Sequence, residues 1–276
     1  MVQLQLLLVF LTSLLFQGSE QAQNSPSNRI INGENAAPRQ FPYQVFIEKH
    51  VNYDWEPNCG GVVISNRTVL TAAHCIKDSI DAFKIYFGTV DRTNIYETGQ
   101  QRLIVKRKNI IVHPEYDPHE LLNDIALIRL PAEILFDEYI QSAKLPDPDK
   151  LYDNKVGVVS GWGISDRNSW NTPNNLKYLN VTIFPYEECK PLVHKYNYAR
   201  FFPSSYICLK PSQGITCNGD SGGPLAIRNE DGTSTLVGLT SFGLEDTCEP
   251  NMPDIFTRVS SFLQWIKKMN EKYEKI

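Results

Sequence analysis

Short runs of β-branched and aromatic residues recur along most of this chain, and that texture limits its fold more than any other feature. QVFIE (44–48), GVVIS (61–65), FKIYFG (83–88), LIVKRKNIIV (103–112), DIALIRL (124–130), VGVVSGWG (156–163), LNVTIF (179–184), TLVGLTSFG (235–243) and DIFTRV (254–259) are punctuated by Gly, Pro, Asn and Asp. Such residues fit a pleated, half-buried surface, and frequent turn signals between short runs point to a barrel or a sandwich. Strands alternating with helical segments, the mark of a parallel α/β sheet, are missing from the pattern. A helical period appears only at the end. In VSSFLQWIKKMNEKY (259–273), Val259, Phe262, Leu263, Ile266 and Met269 share one face, with lysines and glutamates opposite. The reading is an all-β chain closed by one amphipathic C-terminal helix that docks on the body.

The N-terminus differs. Residues 4–16 are apolar, too few to span a bilayer, and small or polar residues (Gly18, Ser19, Ala22) follow. This reads as a secretory signal peptide over residues 1–18, its cut falling between 18 and 22. No Lys or Arg precedes the run, and an N-terminal anchor is the rival reading. Residues 19–29, SEQAQNSPSNR, have no hydrophobic period and read as a disordered propeptide. They end at Arg29, ahead of Ile30, which resembles a processing site, and residues 30–276 form the remaining domain. Six cysteines, Cys59, Cys75, Cys189, Cys208, Cys217 and Cys248, fit an oxidising compartment and a full set of disulfides, whose pairing the spacing leaves open. Metal ligation by Cys59, His74 and Cys75 is the rival, but no C-x-x-C pair exists, and neither metal nor cofactor is expected. A net charge of -4 argues against a nucleic-acid partner. Asn66-Arg-Thr68 and Asn180-Val-Thr182 are candidate glycosylation sites.

The segment NGDSGGPL (218–225) suits neither a core strand nor a helix. It suits a tight loop whose backbone N–H groups point inward. A serine hydroxyl there becomes a nucleophile only with a base to take its proton and a third group to orient that base. Among five histidines, His74 has the unusual setting: VLTAAHC (69–75) runs through two alanines to a histidine beside a cysteine. Asp124 stands at the mouth of the apolar run IALIRL, where a buried charge needs a partner.

TAAHC, NDIAL and GDSGGP in that order resemble the chymotrypsin-type serine peptidases, whose triad serves as the general template for this chemistry. RIINGENA, PYQV, CGGVVIS, SGWG and DIFTRV extend the likeness from Arg29 to the C-terminal helix, and in character it is nearest to invertebrate chymotrypsin- and collagenase-like members. The resemblance implies two six-stranded Greek-key β-barrels packed face to face, with a C-terminal α-helix. It implies Ser221 as nucleophile, His74 as general base and acid, Asp124 as its orienter, and the N–H groups of Gly219 and Ser221 as the oxyanion hole. It implies the disulfides Cys59–Cys75, Cys189–Cys208 and Cys217–Cys248. It also implies a zymogen: cleavage after Arg29 frees the Ile30 amine, which pairs with Asp220. A trypsin-like protease would make that cut.

The same resemblance places the specificity pocket at Ile215, Thr216, Asn218, Ser241, Phe242, Gly243 and Asp254. Isoleucine at 215, where relatives that cut after Lys or Arg carry Asp, favours cleavage after large apolar residues, or broad, collagenase-like cleavage. Asp254, in place of a small residue, is the route to a basic preference instead. The segment 87–99 offers Asp91 and Glu97 but lacks the carboxylate placement of a trypsin-type calcium loop. The expected protein is a secreted, extracellular, monomeric endopeptidase acting on proteins and peptides, open to proteinaceous inhibitors, with no membrane partner. A non-catalytic binding homologue is the competing class, and the intact Ser221, His74 and Asp124 argue against it.

Overall fold

The computed structural model describes residues 30, 33–148, 150–164, 172–195, 202–211, 215–244, 248 and 252–274. The apolar run at 4–16, the propeptide and Arg29 lie outside them. The N-terminal half forms one seven-stranded antiparallel sheet and the C-terminal half another. In chain order the strands are β1 (Glu34–Asn35), β2 (Gln44–Val51), β3 (Asp54–Ser65), β4 (Thr68–Thr71), β5 (Ala82–Phe87), β6 (Gln101–Lys106), β7 (Ile110–Val112) and β8 (Ala126–Arg129). The second half adds β9 (Val156–Gly161), β10 (Lys177–Phe184), β11 (Tyr206–Leu209), β12 (Pro224–Arg228), β13 (Ser234–Gly243) and β14 (Asp254–Arg258).

The two sheets close in different ways. In the C-terminal one the order β10-β11-β14-β13-β12-β9 returns on itself through a direct β10–β9 pairing, and β1 crosses over to add to β10. The N-terminal order is β6-β5-β2-β3-β4-β8-β7. Its two edges, β6 and β7, are halves of one run broken only by a 3-10 turn at Arg107–Asn109. A strand bent at a barrel corner thus pairs with β5 before the bend and β8 after it. The expected six-stranded barrels are both present, the first with its closing strand split.

Alternation explains the packing. Val45, Ile47, Val63, Val69, Phe83, Ile85 and Phe87 point into the first barrel, and Val159, Val181, Ile183, Ile207, Leu225, Val237 and Phe256 into the second. A third cluster joins them: Tyr43, Val62, Leu70, Ile125 and Leu127 from the first barrel meet Ala226, Leu236 and Leu239 from the second. Val259, Phe262 and Ile266 of the C-terminal segment pack onto this seam, as the helical period predicts. The helix itself, α2 (Leu263–Glu274), follows a 3-10 turn over Val259–Phe262. A second helix, α1 (Tyr186–Lys195), was not legible in the sequence. It is tied to β11 by the disulfide between Cys189 and Cys208, both of them buried. No helix among the described residues is long and apolar enough to cross a membrane.

Candidate active site

Three loops meet where the barrels join. His74 follows β4 in the 3-10 turn Ala73–Cys75, Asp124 sits just ahead of β8, and Ser221 lies in the turn that leads into β12. Because β4 and β8 are paired neighbours, the chain ends that carry His74 and Asp124 are adjacent by construction. Asp124 is fully buried, and its two oxygens are committed: Oδ1 accepts the backbone N–H of His74 at 2.9 Å, and Oδ2 lies 2.7 Å from His74 Nδ1. The Ser241 hydroxyl also donates to Oδ2 at 2.6 Å. The carboxylate thereby fixes Nδ1 as the protonated nitrogen and leaves Nε2 as the free base. His74 keeps a quarter of its side chain exposed and lines a cavity of about 290 Å³ together with Ser221. Larger hollows, of about 390 Å³ beside Tyr43 and about 490 Å³ beside α2, hold none of these residues.

Among the described residues no hydrogen bond joins Ser221 to His74, a looseness common before substrate binds. The serine loop is nevertheless tightly held. Ser221 O accepts from Gly60 N of β3 at 2.8 Å, while Gly222 N and Thr240 N bond it to β13. Asp220 N, Gly222 N and Gly223 N all find acceptors within this network, whereas Gly219 N and Ser221 N find none among the described residues. Two neighbouring unspent donors in one turn are the pair of N–H groups available to a negative oxygen beside Ser221. The turn depends on Gly219, whose φ is +102° and where a Cβ would meet Gly163 Cα at 3.0 Å.

Asp220 is wholly buried next to the serine. Its oxygens accept from Gly163 N at 2.8 Å and Cys217 N at 3.0 Å. A Cβ on Gly161 or Gly163 would collide with its carboxylate, which accounts for the glycines of the SGWG motif. Burial pushes its pKa up to about 6, and the two N–H donors only partly offset that. Ile30, the residue after Arg29, is fully buried against Tyr152, Val159 and Val181 in the second barrel.

The cavity wall gathers most of the residues expected of a specificity pocket: Thr216, Asn218, Ser241, Phe242, Gly243 and Asp254, together with Cys217 and Cys248. Ile215 is buried but is not among the lining residues. Asp254 is buried, and one oxygen, Oδ2, accepts both the Thr216 N–H at 2.8 Å and the Thr216 hydroxyl at 2.9 Å. Burial, with a smaller push from Asp220, raises its pKa to about 7 against the opposing Thr216 bonds.

All six cysteines are paired, as Cys59–Cys75, Cys189–Cys208 and Cys217–Cys248. The first bridge pins the His74 turn to β3, and the last ties the serine loop to the cavity wall. The middle one lies away from the cavity: neither Cys189 nor Cys208 lines it, so that bridge anchors α1 and has no part in the site. Cys59 and Cys75 are joined to each other, so the cluster they make with His74 offers an imidazole but no thiolate to a metal. Near the expected calcium-loop position, the Glu97 carboxylate accepts from Val90 N and Asp91 N and from the Thr89 hydroxyl, which leaves it little capacity for a cation. Asn180 is exposed on β10, and Asn66 is partly buried in the β3–β4 turn.

Comparison with known proteins agrees with this geometry. The family model described as Trypsin matches residues 30–266. The chain is 31% identical to chymotrypsin-like elastase family member 3B of Homo sapiens, covering 97% of this chain and 98% of that one. It is 32% identical to a chymotrypsin of Phaedon cochleariae over 91% of this chain and 86% of the relative. A solved HL collagenase structure superposes with a TM-score of 0.74 at 30% identity, covering 87% of this chain and 98% of that one. Against serine proteinase stubble of Drosophila melanogaster, 30% identical, the chain spans only 31% of the relative's length.

Proposed function

The chain belongs to the trypsin family of serine endopeptidases, and on that premise we propose that it is a secreted zymogen cut at Arg29–Ile30 to give a peptidase of apolar or broad preference. Ser221 Oγ attacks the scissile carbonyl while His74 Nε2 takes its proton. The developing oxyanion rests on the N–H groups of Gly219 and Ser221. Asp124 holds the imidazole in the right tautomer and stabilises its positive form. His74 then protonates the leaving amine, and water, activated by the same base, releases the acyl group. The observation that carries this reading is the 2.7 Å contact of His74 Nδ1 with a fully buried Asp124, beside a serine flanked by two unspent N–H groups.

Residues 1–18 serve as signal peptide, 19–29 as propeptide and 30–276 as catalytic domain. In the uncut chain Asp220 is a desolvated acid with no cation beside it among the described residues. A free Ile30 ammonium is the partner it lacks, and a trypsin-like protease is the activator that a bond following Arg requires. The product acts outside the cell as a monomer, on proteins and peptides and under the control of proteinaceous inhibitors. Asn180 is the sequon best exposed to carry a glycan.

For the acyl-side residue, Phe242 and Gly243 supply the apolar, open part of a wall that is otherwise polar, and Asp254 is engaged by Thr216, with burial raising its pKa to about 7. Cleavage after Phe, Tyr or Leu follows. A second reading, cleavage after Lys or Arg, draws on Asp254 facing the cavity in its charged form. The test is a peptide library offered to protein cut with immobilised trypsin, with Ser221→Ala as blank. Products ending in Phe, Tyr or Leu support the first reading and exclude efficient self-processing at Arg29. Products ending in Lys or Arg support the second. Equal products from the blank would remove the peptidase assignment.

A further inference from the structure

A second hollow lies across the serine loop from the Ser221 cavity. It measures about 210 Å³ and is walled by Pro57, Asn58, Trp162 and Gly219, with Arg92 supplying the only formal charge among the described lining residues. Asn218 lines both hollows, so the two open toward the same face of anything stretched across them.

Arg92 is held rigidly by neutral groups. Nε donates to Pro173 O at 2.9 Å, Nη2 donates to the Thr172 hydroxyl at 2.9 Å and to Thr172 O at 3.3 Å, and the guanidinium sits over the Phe46 ring at 5.5 Å. The carboxylates whose fields reach it are engaged elsewhere. Glu48 accepts from the Tyr86 hydroxyl at 2.6 Å and pairs with Lys84 at 3.3 Å. Asp91 accepts from Thr93 N and its hydroxyl. Neither forms an ion pair with Arg92 among the described residues. Burial pushes the Arg92 pKa down, Glu48 and Asp91 push back, and a guanidinium remains charged regardless. A partly desolvated, fixed cation without a carboxylate partner is an electrostatic site awaiting one.

Its place along a substrate follows from strand geometry, given the peptidase reading above, on which this step rests. The residue donating the scissile carbonyl points into the Ser221 cavity. In an extended chain successive side chains alternate, so the first residue of the leaving half points away and the second returns to the same face. Beyond Gly219, that face is the Arg92 hollow. We propose that the enzyme prefers Asp or Glu as the second residue after the cleaved bond, and that Arg92 determines this preference.

The test uses cut protein and three fluorogenic peptides that differ only at that position, bearing Glu, Gln or Lys. A fourth substrate, an anilide, has no leaving-side residues. The expected result is kcat/KM for Glu above Gln by about 5- to 20-fold, the range of a partly buried charge-assisted pair, with Lys lowest. Half-molar salt narrows the gap, because an ion pair open to solvent is screened. Arg92→Gln brings the Glu-to-Gln ratio toward one, and Arg92→Lys retains part of it; the ratio is immune to general damage by either variant. Anilide hydrolysis with equal Glu and Gln rates in the unaltered enzyme would overturn the inference alone, as would a ratio that survives Arg92→Gln. No anilide hydrolysis at all would remove the peptidase reading together with it.

Discussion

Two buried carboxylates, Asp220 and Asp254, lie near enough that the charge of the first raises the pKa of the second. Asp254 lines the Ser221 cavity with a pKa raised to about 7, so it is neutral below that pH and charged above it. Once an Ile30 ammonium pairs with Asp220, the like-charge push on Asp254 disappears and its transition moves to lower pH. The kcat/KM ratio of a Lys substrate to a Leu substrate is therefore expected to rise with pH through a midpoint at or below about 7, and to stay flat in Asp254→Asn. A ratio equally pH-dependent in that variant would contradict the assignment. Gly219 supports a sharper expectation. A side chain there is strained at φ +102° and presses on Gly163, so Gly219→Ala should lower kcat by about 100-fold or more with KM little changed, the loss typical of an oxyanion donor. At this scale the sequence was most informative where chemistry demands a residue type, at Ser221, His74 and Asp124. It was silent on Thr216 as the partner of Asp254 and on Arg92. Those roles come from contacts between segments 38 and 80 residues apart, which no local pattern records.

Among the elements, the segment between β5 and β6 is closed by a side chain where a cation would otherwise serve. Glu97 ties together Val90 N, Asp91 N and the Thr89 hydroxyl, and Gln100 donates to that hydroxyl at 2.8 Å. Added calcium or a chelator should leave the melting temperature unchanged, whereas Glu97→Ala, which strands buried donors, should destabilise by about 1–3 kcal/mol. A calcium-dependent melting curve in the unaltered protein would refute this. Strand runs were legible because alternation marks a half-buried sheet face. Helix α1 was not, because Pro191 lies inside it and only Cys189 and Val193 are buried. Its stability comes instead from tertiary anchors, the Cys189–Cys208 disulfide and the stacking of Tyr186 on Phe202. The bend splitting β6 from β7 was equally hidden: LIVKRKNIIV reads as one run, and the corner at Arg107–Asn109 is imposed by barrel closure.

On the scale of the whole molecule, the site is a property of the seam. Gly60 of the first barrel bonds Ser221 O, Ser241 of the second bonds Asp124, and Thr257 Oγ1 bonds Asp124 O at 2.8 Å. Neither barrel alone brings Ser221, His74 and Asp124 together. The uncut chain carries an electrostatic burden at that seam. With folded-state pKa values raised above the ordinary 3.8, Asp220 and Asp254 contribute stability that is present below about pH 4 and lost as pH rises through about 6 and 7. Pairing Asp220 with a freed ammonium lowers its pKa and reverses the sign for that group. In an inactive Ser221→Ala background, cutting at Arg29–Ile30 should therefore raise the melting temperature more at pH 7.5 than at pH 4.5; an equal shift at both would contradict the proposed pair. The central claim, a cleavage-dependent serine nucleophile at this seam, is tested most directly by labelling the intact and the cut chain with a fluorophosphonate and mapping the label by mass spectrometry. The account predicts a single adduct on Ser221, formed by the cut chain and nearly absent from the intact one. Labelling that is equal before and after cleavage would contradict the zymogen, and a cut chain that leaves Ser221 unlabelled would contradict the nucleophile itself.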